Sequence, residues 1–134
     1  DVLIGLGASS ISRFPQGYAQ NASSTSAYTS AVRAGQFATA RGHTFKGGDL
    51  MRGRIIEMLM CTFGIDGDEL QRDYGLGTAT LRAYYEEVAT KYEGMIEVVG
   101  TQLTIKPEAR AMTRIIARDF DAYDLSKAGH SSAI

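Results

Sequence analysis

The residues best placed to do chemistry lie at the amino end, where Gly5-Leu-Gly7-Ala-Ser9 follows the apolar triplet Val2-Leu3-Ile4. Glycines at the end of an apolar run let a ligand approach the backbone, and α/β folds bind ligands just past the carboxyl ends of parallel strands. The turn is only half of a dinucleotide fingerprint, because no acidic residue follows at the required distance. A tight turn that needs glycine for steric reasons alone is the other reading, and the pattern leaves both open. Beyond the turn, Ser12, Arg13, Gln16, Tyr18, Gln20 and Asn21 supply hydrogen-bond donors close together. Arg13 has the charge and fork geometry to pair with a carboxylate, although a solvated arginine is the plainer reading.

The remaining reactive side chains are set less purposefully. His43 has no Cys, His or carboxylate at metal-ligand spacing and reads as a loop histidine. Cys61 has no adjacent His or Lys to lower its pKa; it reads as a small inert residue beside a helix's apolar stripe, not a nucleophile. Arg52 and Arg54 fall off that stripe and read as solvated.

These residues need elements to hold them. Val2-Leu3-Ile4 reads as a short, fully buried parallel strand, and residues 8–21, with Pro15 and Gly17, as the loop that leaves it. A short helix is predicted from Ser23 to Gly35, and a connection from Phe37 to Gly48. Asp49 can cap a helix whose Leu50, Met51, Ile55, Ile56, Leu59, Met60 and Phe63 recur at helical spacing, with Ile65 packing back beyond it. A short helix with Leu70 and Tyr74 fills 66–75. Thr78 or Thr80 caps the next, with Leu81, Tyr84, Tyr85, Val88 and Tyr92 on its core face. Met95–Val99 and Gln102–Lys106 form a hairpin about Gly100-Thr101. Pro107 opens a last helix with Met112, Ile115, Ile116, Phe120 and Tyr123 inward, and a polar tail follows from Ser126.

Composition narrows the function classes. The 134 residues, 44% apolar, are enough for one core, and 14 basic against 15 acidic side chains give a formal charge of −1, with no general pull toward polyanions or acidic membranes. No apolar stretch approaches a membrane span, and the first residues do not form a signal peptide. One cysteine excludes an internal disulfide and fits a reducing, cytoplasmic setting.

Gly5-Leu-Gly7-Ala-Ser9-Ser-Ile11-Ser, taken with Gly17-Tyr18-Ala-Gln20-Asn21, Arg41-Gly42, the stretch from Arg52 to Phe63 and the closing His130-Ser-Ser-Ala-Ile134, resembles the carboxyl-terminal third of oxygen-independent coproporphyrinogen III oxidases. The pairing of Gly-Leu-Gly-x-Ser-x-Ile with Tyr-Ala-Gln-Asn is the most specific part and fits the oxidase branch better than the haem-chaperone branch. The resemblance implies a radical S-adenosylmethionine enzyme of haem biosynthesis that converts two propionates of coproporphyrinogen III to vinyl groups, giving protoporphyrinogen IX. It implies a [4Fe–4S] cluster held by three cysteines, which this chain cannot supply. The expected organisation is then the last strand and loop of a catalytic β/α barrel at 1–22, a helix and connection at 23–48, and a helical domain at 49–134 with a hairpin near 95–106. The cofactor-binding candidates are Ile11, carried over as a contact to a second S-adenosylmethionine, with Gly5 and Gly7 in support. No catalytic residue and no metal ligand is expected, and this chain by itself is expected to bind no cofactor and to be inactive.

The expected fold class is mainly α (α+β), a helical domain resembling a winged helix with a small hairpin, preceded by the last strand of a truncated barrel. That element order also suits a nucleic-acid binder, but the wing tip Val99-Gly-Thr-Gln102 has no Arg or Lys for phosphate. A module that docks a porphyrin or a protein partner is the remaining alternative. The expected partners are coproporphyrinogen III and the missing amino-terminal barrel, without nucleic acid or membrane.

Overall fold

The computed structural model describes residues 2–121, and the chain divides into two compact units, Asp1–Gly47 and Gly48–Ile134. The first holds strands β1 (Ile11–Phe14) and β2 (Gly17–Asn21), helix α1 (Thr25–Arg33) and strand β3 (Thr39–Thr44). The strands form one antiparallel sheet in the order β1-β2-β3, with Arg13 opposite Tyr18 and Tyr18 opposite His43. Ser24 caps α1 by accepting from the Ala27 amide, and Gly35, in the left-handed region, follows its end.

Three expectations are corrected in this unit. Val2-Leu3-Ile4 is not a buried strand: its side chains are more than half exposed, and Leu3 makes a single bridge to Arg13. Residues 8–21 are not an open loop but mostly a hairpin, because Pro15-Gln16 makes a tight turn between two pairing segments. The connection at 37–48 contains β3, whose Thr-Ala-Arg-Gly-His-Thr lacks the apolar alternation by which strands are recognised. Among the described residues of this unit no large hydrophobic side chain is fully buried, so the backbone ladder, not a core, sets its shape.

The second unit runs α2 (Asp49–Thr62), β4 (Gly64–Asp66), α3 (Gly67–Tyr74), α4 (Thr78–Lys91), β5 (Ile96–Val99), β6 (Gln102–Ile105), a 3-10 helix (Pro107–Met112) and α5 (Thr113–Arg118). Its sheet is antiparallel in the order β4-β6-β5, which puts Ile65 opposite Leu103 and Ile96 opposite Ile105. The core combines Leu59 from α2, Ile65, Leu70, Leu103, Ile105 and Ile116, all nearly inaccessible, with Leu81, Tyr85 and Val88 from α4. Burying a side chain of this size stabilises by about 1.5–3 kcal/mol. Asp66 caps α3 by accepting from the Asp68 and Glu69 amides at 3.0 and 3.2 Å, and Gly75 ends it in the left-handed region.

The predicted helices and the hairpin are present, and Ile65 packs back as expected. The caps of α2 and α4 are Gly48 and Gly77, not Asp49 and Thr78 or Thr80. The α2 stripe is also revised: Met58 is buried while Leu50 and Met60 are exposed, because this helix has apolar residues on more than one side. The last helix begins as 3-10 turns behind Pro107, and Ile115 faces outward while Ile116 is buried. Tyr123, the tail from Ser126 and the closing His130–Ile134 lie outside the described residues. The fold is therefore mixed α and β, with two small antiparallel sheets where the sequence suggested one hairpin.

Candidate functional site

The predicted turn is built from hydrogen bonds between neighbouring backbone and a few side chains. The Gly5 amide donates to Ser12 Oγ at 3.0 Å and the Gly7 amide to the Tyr28 hydroxyl at 3.2 Å. Asn21 Nδ2 donates to both the Gly5 and Gly7 carbonyls, at 3.3 and 3.0 Å. The Ser9 amide reaches the Ala22 carbonyl, and Gln20 Nε2 the Ser9 carbonyl. The turn is thus clamped onto β1, β2 and α1 by Ser12, Asn21 and Tyr28.

Each glycine has a distinct reason to be glycine. A Cβ on Gly5 would stand 2.6 Å from the Ile11 carbonyl oxygen, whereas Gly7 has room but adopts φ +102°. Gly5 and Ile11 are therefore in direct backbone contact, and Gly7 shares the Asn21 clamp; the structure brings the three predicted residues into one turn. The Ile11 side chain is half exposed at the start of β1. The amides of Gly5 and Gly7 already donate within the chain. Sequence reasoning missed the parts of Ser12 and Tyr28; the Asn of Tyr-Ala-Gln-Asn was the visible trace of the clamp.

Arg13 of β1 and His43 of β3 lie on either side of Tyr18 in β2, and the Tyr18 ring packs edge-on against Phe45 with centroids 5.0 Å apart. Cys61 is exposed, not buried beside the α2 stripe. Arg54 is not simply solvated: its guanidinium grips Glu69 in a bidentate pair at 2.6 and 3.1 Å, tying α2 to α3. That guanidinium holds the Glu69 carboxyl below its usual range. Gln102 Nε2, donating at 2.9 Å, and then the Glu69 amide do the same for Asp66. A cavity of about 460 Å³ opens between α4 and the β5–β6 hairpin, lined by Leu81, Arg82, Tyr85, Val98 and Thr101. In it the Tyr85 hydroxyl donates to the Thr101 carbonyl, and burial raises its pKa.

A [4Fe–4S] cluster takes thiolates from several cysteines, and the chain has one. The donor set does not fit, and among the described residues no group of three or more His, Cys, Asp and Glu is placed to hold a metal ion. No helix among the described residues is long and apolar enough to cross a membrane.

No protein-family model matches the chain. It is 49% identical over all 134 residues to the oxygen-independent coproporphyrinogen III oxidase of Paracoccus denitrificans, covering 30% of that relative. It is 46% identical over 126 residues, 94% of this chain, to the enzyme of the same name from Cereibacter sphaeroides, covering 28% of it. The whole chain is similar to one part of oxygen-independent coproporphyrinogen III oxidases. A solved structure of coproporphyrinogen III oxidase (HemN) from Escherichia coli, described as a radical SAM enzyme, superposes with a TM-score of 0.77 at 26% identity, over 92% of this chain and 29% of that one. The chain thus spans about 30% of the length of the coproporphyrinogen III oxidases it matches.

Proposed function

We propose that the chain forms the carboxyl-terminal part of an oxygen-independent coproporphyrinogen III oxidase, a cytoplasmic radical S-adenosylmethionine enzyme that decarboxylates two propionates of coproporphyrinogen III. The observation that carries this reading is 49% identity over all 134 residues of this chain to part of one such oxidase, together with the clamped Gly5–Ile11 turn. S-adenosylmethionine would supply the hydrogen-abstracting chemistry. The role of this chain is to present the apolar face of Ile11 to it, with Gly5 and Gly7 shaping the turn beneath and Asn21 fixing their carbonyls.

In this reading the Val2–Ile4 segment and the β1–β2 hairpin complete a catalytic barrel, α1 and β3 lead out of it, and the second unit is an accessory mixed α and β domain. Val2, Leu3, Ile4 and Leu6, 56–84% exposed, suit a strand whose covering neighbours belong to other parts of the enzyme. The second unit's order of helix, strand, two helices and two strands, with β6 between β4 and β5, supports a winged-helix-like module.

The intact mass and amino-terminal sequence of the native polypeptide test the assignment. A preceding barrel with a three-cysteine motif is the expected result, and a native chain starting near Asp1 would overturn it. In the longer enzyme, Ile11→Asp puts a charge at an apolar contact and is expected to raise the KM for S-adenosylmethionine about tenfold. Unchanged kinetics would remove Ile11 from the site.

A further inference from the structure

The sheet face of the first unit that carries Ile11 also carries residues that the oxidase reading has not used. Residues directly opposite in antiparallel strands project from the same face, as do alternate residues along one strand. The register pairs Ile11 with Gln20 and Gln20 with Arg41, and likewise Arg13 with Tyr18 and Tyr18 with His43. One face therefore carries Ile11, Arg13, Tyr18, Gln20, Arg41 and His43, while Ser12, Ala19 and Gly42 fall on the other. With strands about 4.8 Å apart, the Arg41 backbone lies about 10 Å from that of Ile11 across the same surface.

The charge of this unit is one-sided. Arg13, Arg33, Arg41 and Lys46 stand against the single acid Asp1, and every other acidic residue falls after Gly47. The β1–β2–β3 ladder itself contains no carboxylate. Arg41 is exposed, and the half-exposed Ile11 and the Tyr18 ring give the same face an apolar floor. Guanidinium groups beside an apolar floor suit a flat apolar ligand that carries several carboxylates.

We propose that this face binds the carboxylates of a polycarboxylated tetrapyrrole, with Arg41 and Arg13 as ion-pairing residues that orient the ring over Tyr18, beside Ile11. The inference rests on the oxidase reading for the ligand's identity and on register and charge for the surface. Arg41 and Arg13 are binding residues and take no part in bond breaking.

The test uses the intact native enzyme and coproporphyrin III, the coloured oxidised counterpart of the substrate, titrated by absorbance. The double variant Arg13→Gln, Arg41→Gln is expected to weaken binding at least about tenfold, the usual effect of losing charge-assisted hydrogen bonds. Arg41→Lys is expected to retain part of it, Arg33→Gln on α1 to bind as the parent does, and the tetramethyl ester of the probe to bind parent and double variant equally weakly. In turnover the double variant is expected to raise the KM for coproporphyrinogen III while kcat stays within about twofold. Unchanged affinity in a double variant with parental circular dichroism, or an ester that binds as well as the acid, would overturn the proposal. Arginine-dependent binding in an enzyme that does not convert coproporphyrinogen III would uphold the surface and overturn the oxidase reading instead.

Discussion

At the scale of single residues, Gly5 is where local geometry is least forgiving. Its missing Cβ lets the turn sit on the Ile11 carbonyl, and this contact stands next to the two-way bond between Leu3 and Arg13. Gly5→Ala must push the turn off β1, so the amides of Leu3 and Arg13, which donate at 2.9 and 2.8 Å, are expected to lose protection. Hydrogen exchange at those two amides measures this directly. The turn's glycines were visible in the sequence, but their cause was not. A glycine demanded by a ligand and one demanded by a carbonyl six residues on look the same until the backbone is folded.

At the scale of elements, α2 separates what periodicity predicts from what packing selects. Leu59 and Met60 are neighbours of similar hydrophobicity, yet Leu59 is inaccessible and Met60 is 40% exposed. Leu59→Ala is expected to destabilise the second unit by about 2–5 kcal/mol. Met60→Ala is expected to stay within about 0.5 kcal/mol. Urea midpoints of the two variants decide the matter, and similar losses would show the assigned face to be wrong. The β1–β2–β3 sheet marks the opposite limit. Its strands carry Ser, Arg, Gln, Thr and His, so no alternation announces them, and pairing follows from the tight turn at Pro15-Gln16 and from satisfaction of the backbone ladder.

At the scale of the molecule, pH links several elements of the second unit at once. Asp66 caps α3 and accepts from Gln102 of β6, while Glu69 pairs with Arg54 of α2, and both carboxyls are held below their usual range. A carboxyl whose folded pKa is lowered contributes stability that is present above its unfolded pKa, near 4, and is lost as pH falls through the folded value. The urea midpoint is therefore expected to be flat from about pH 7 to 5 and to drop below about pH 4. The double variant Asp66→Asn, Glu69→Gln is expected to start lower and show a shallower fall; an acid limb of unchanged steepness would show that other carboxylates carry it. The two units should also differ in exchange, since large side chains are fully buried only in the second. Amides of β1–β3 are expected to exchange faster than those of β6 and α4.

The sequence by itself determined the helices, the β5–β6 hairpin and most of the core of the second unit, because apolar spacing and turn residues act locally and leave a readable period. The Gly-Leu-Gly-Ala-Ser-Ser-Ile and Tyr-Ala-Gln-Asn strings also carry the likeness to coproporphyrinogen III oxidases, which the similarity over all 134 residues of this chain to part of such an enzyme bears out. Only the tertiary structure decided that residues 11–44 build a sheet, that Arg54 is paired, that Cys61 is exposed, and that Asn21, Ser12 and Tyr28 clamp the turn. Those outcomes depend on which distant backbone groups and side chains meet, and strand register and hydrogen-bond partners of that kind leave no local period to read.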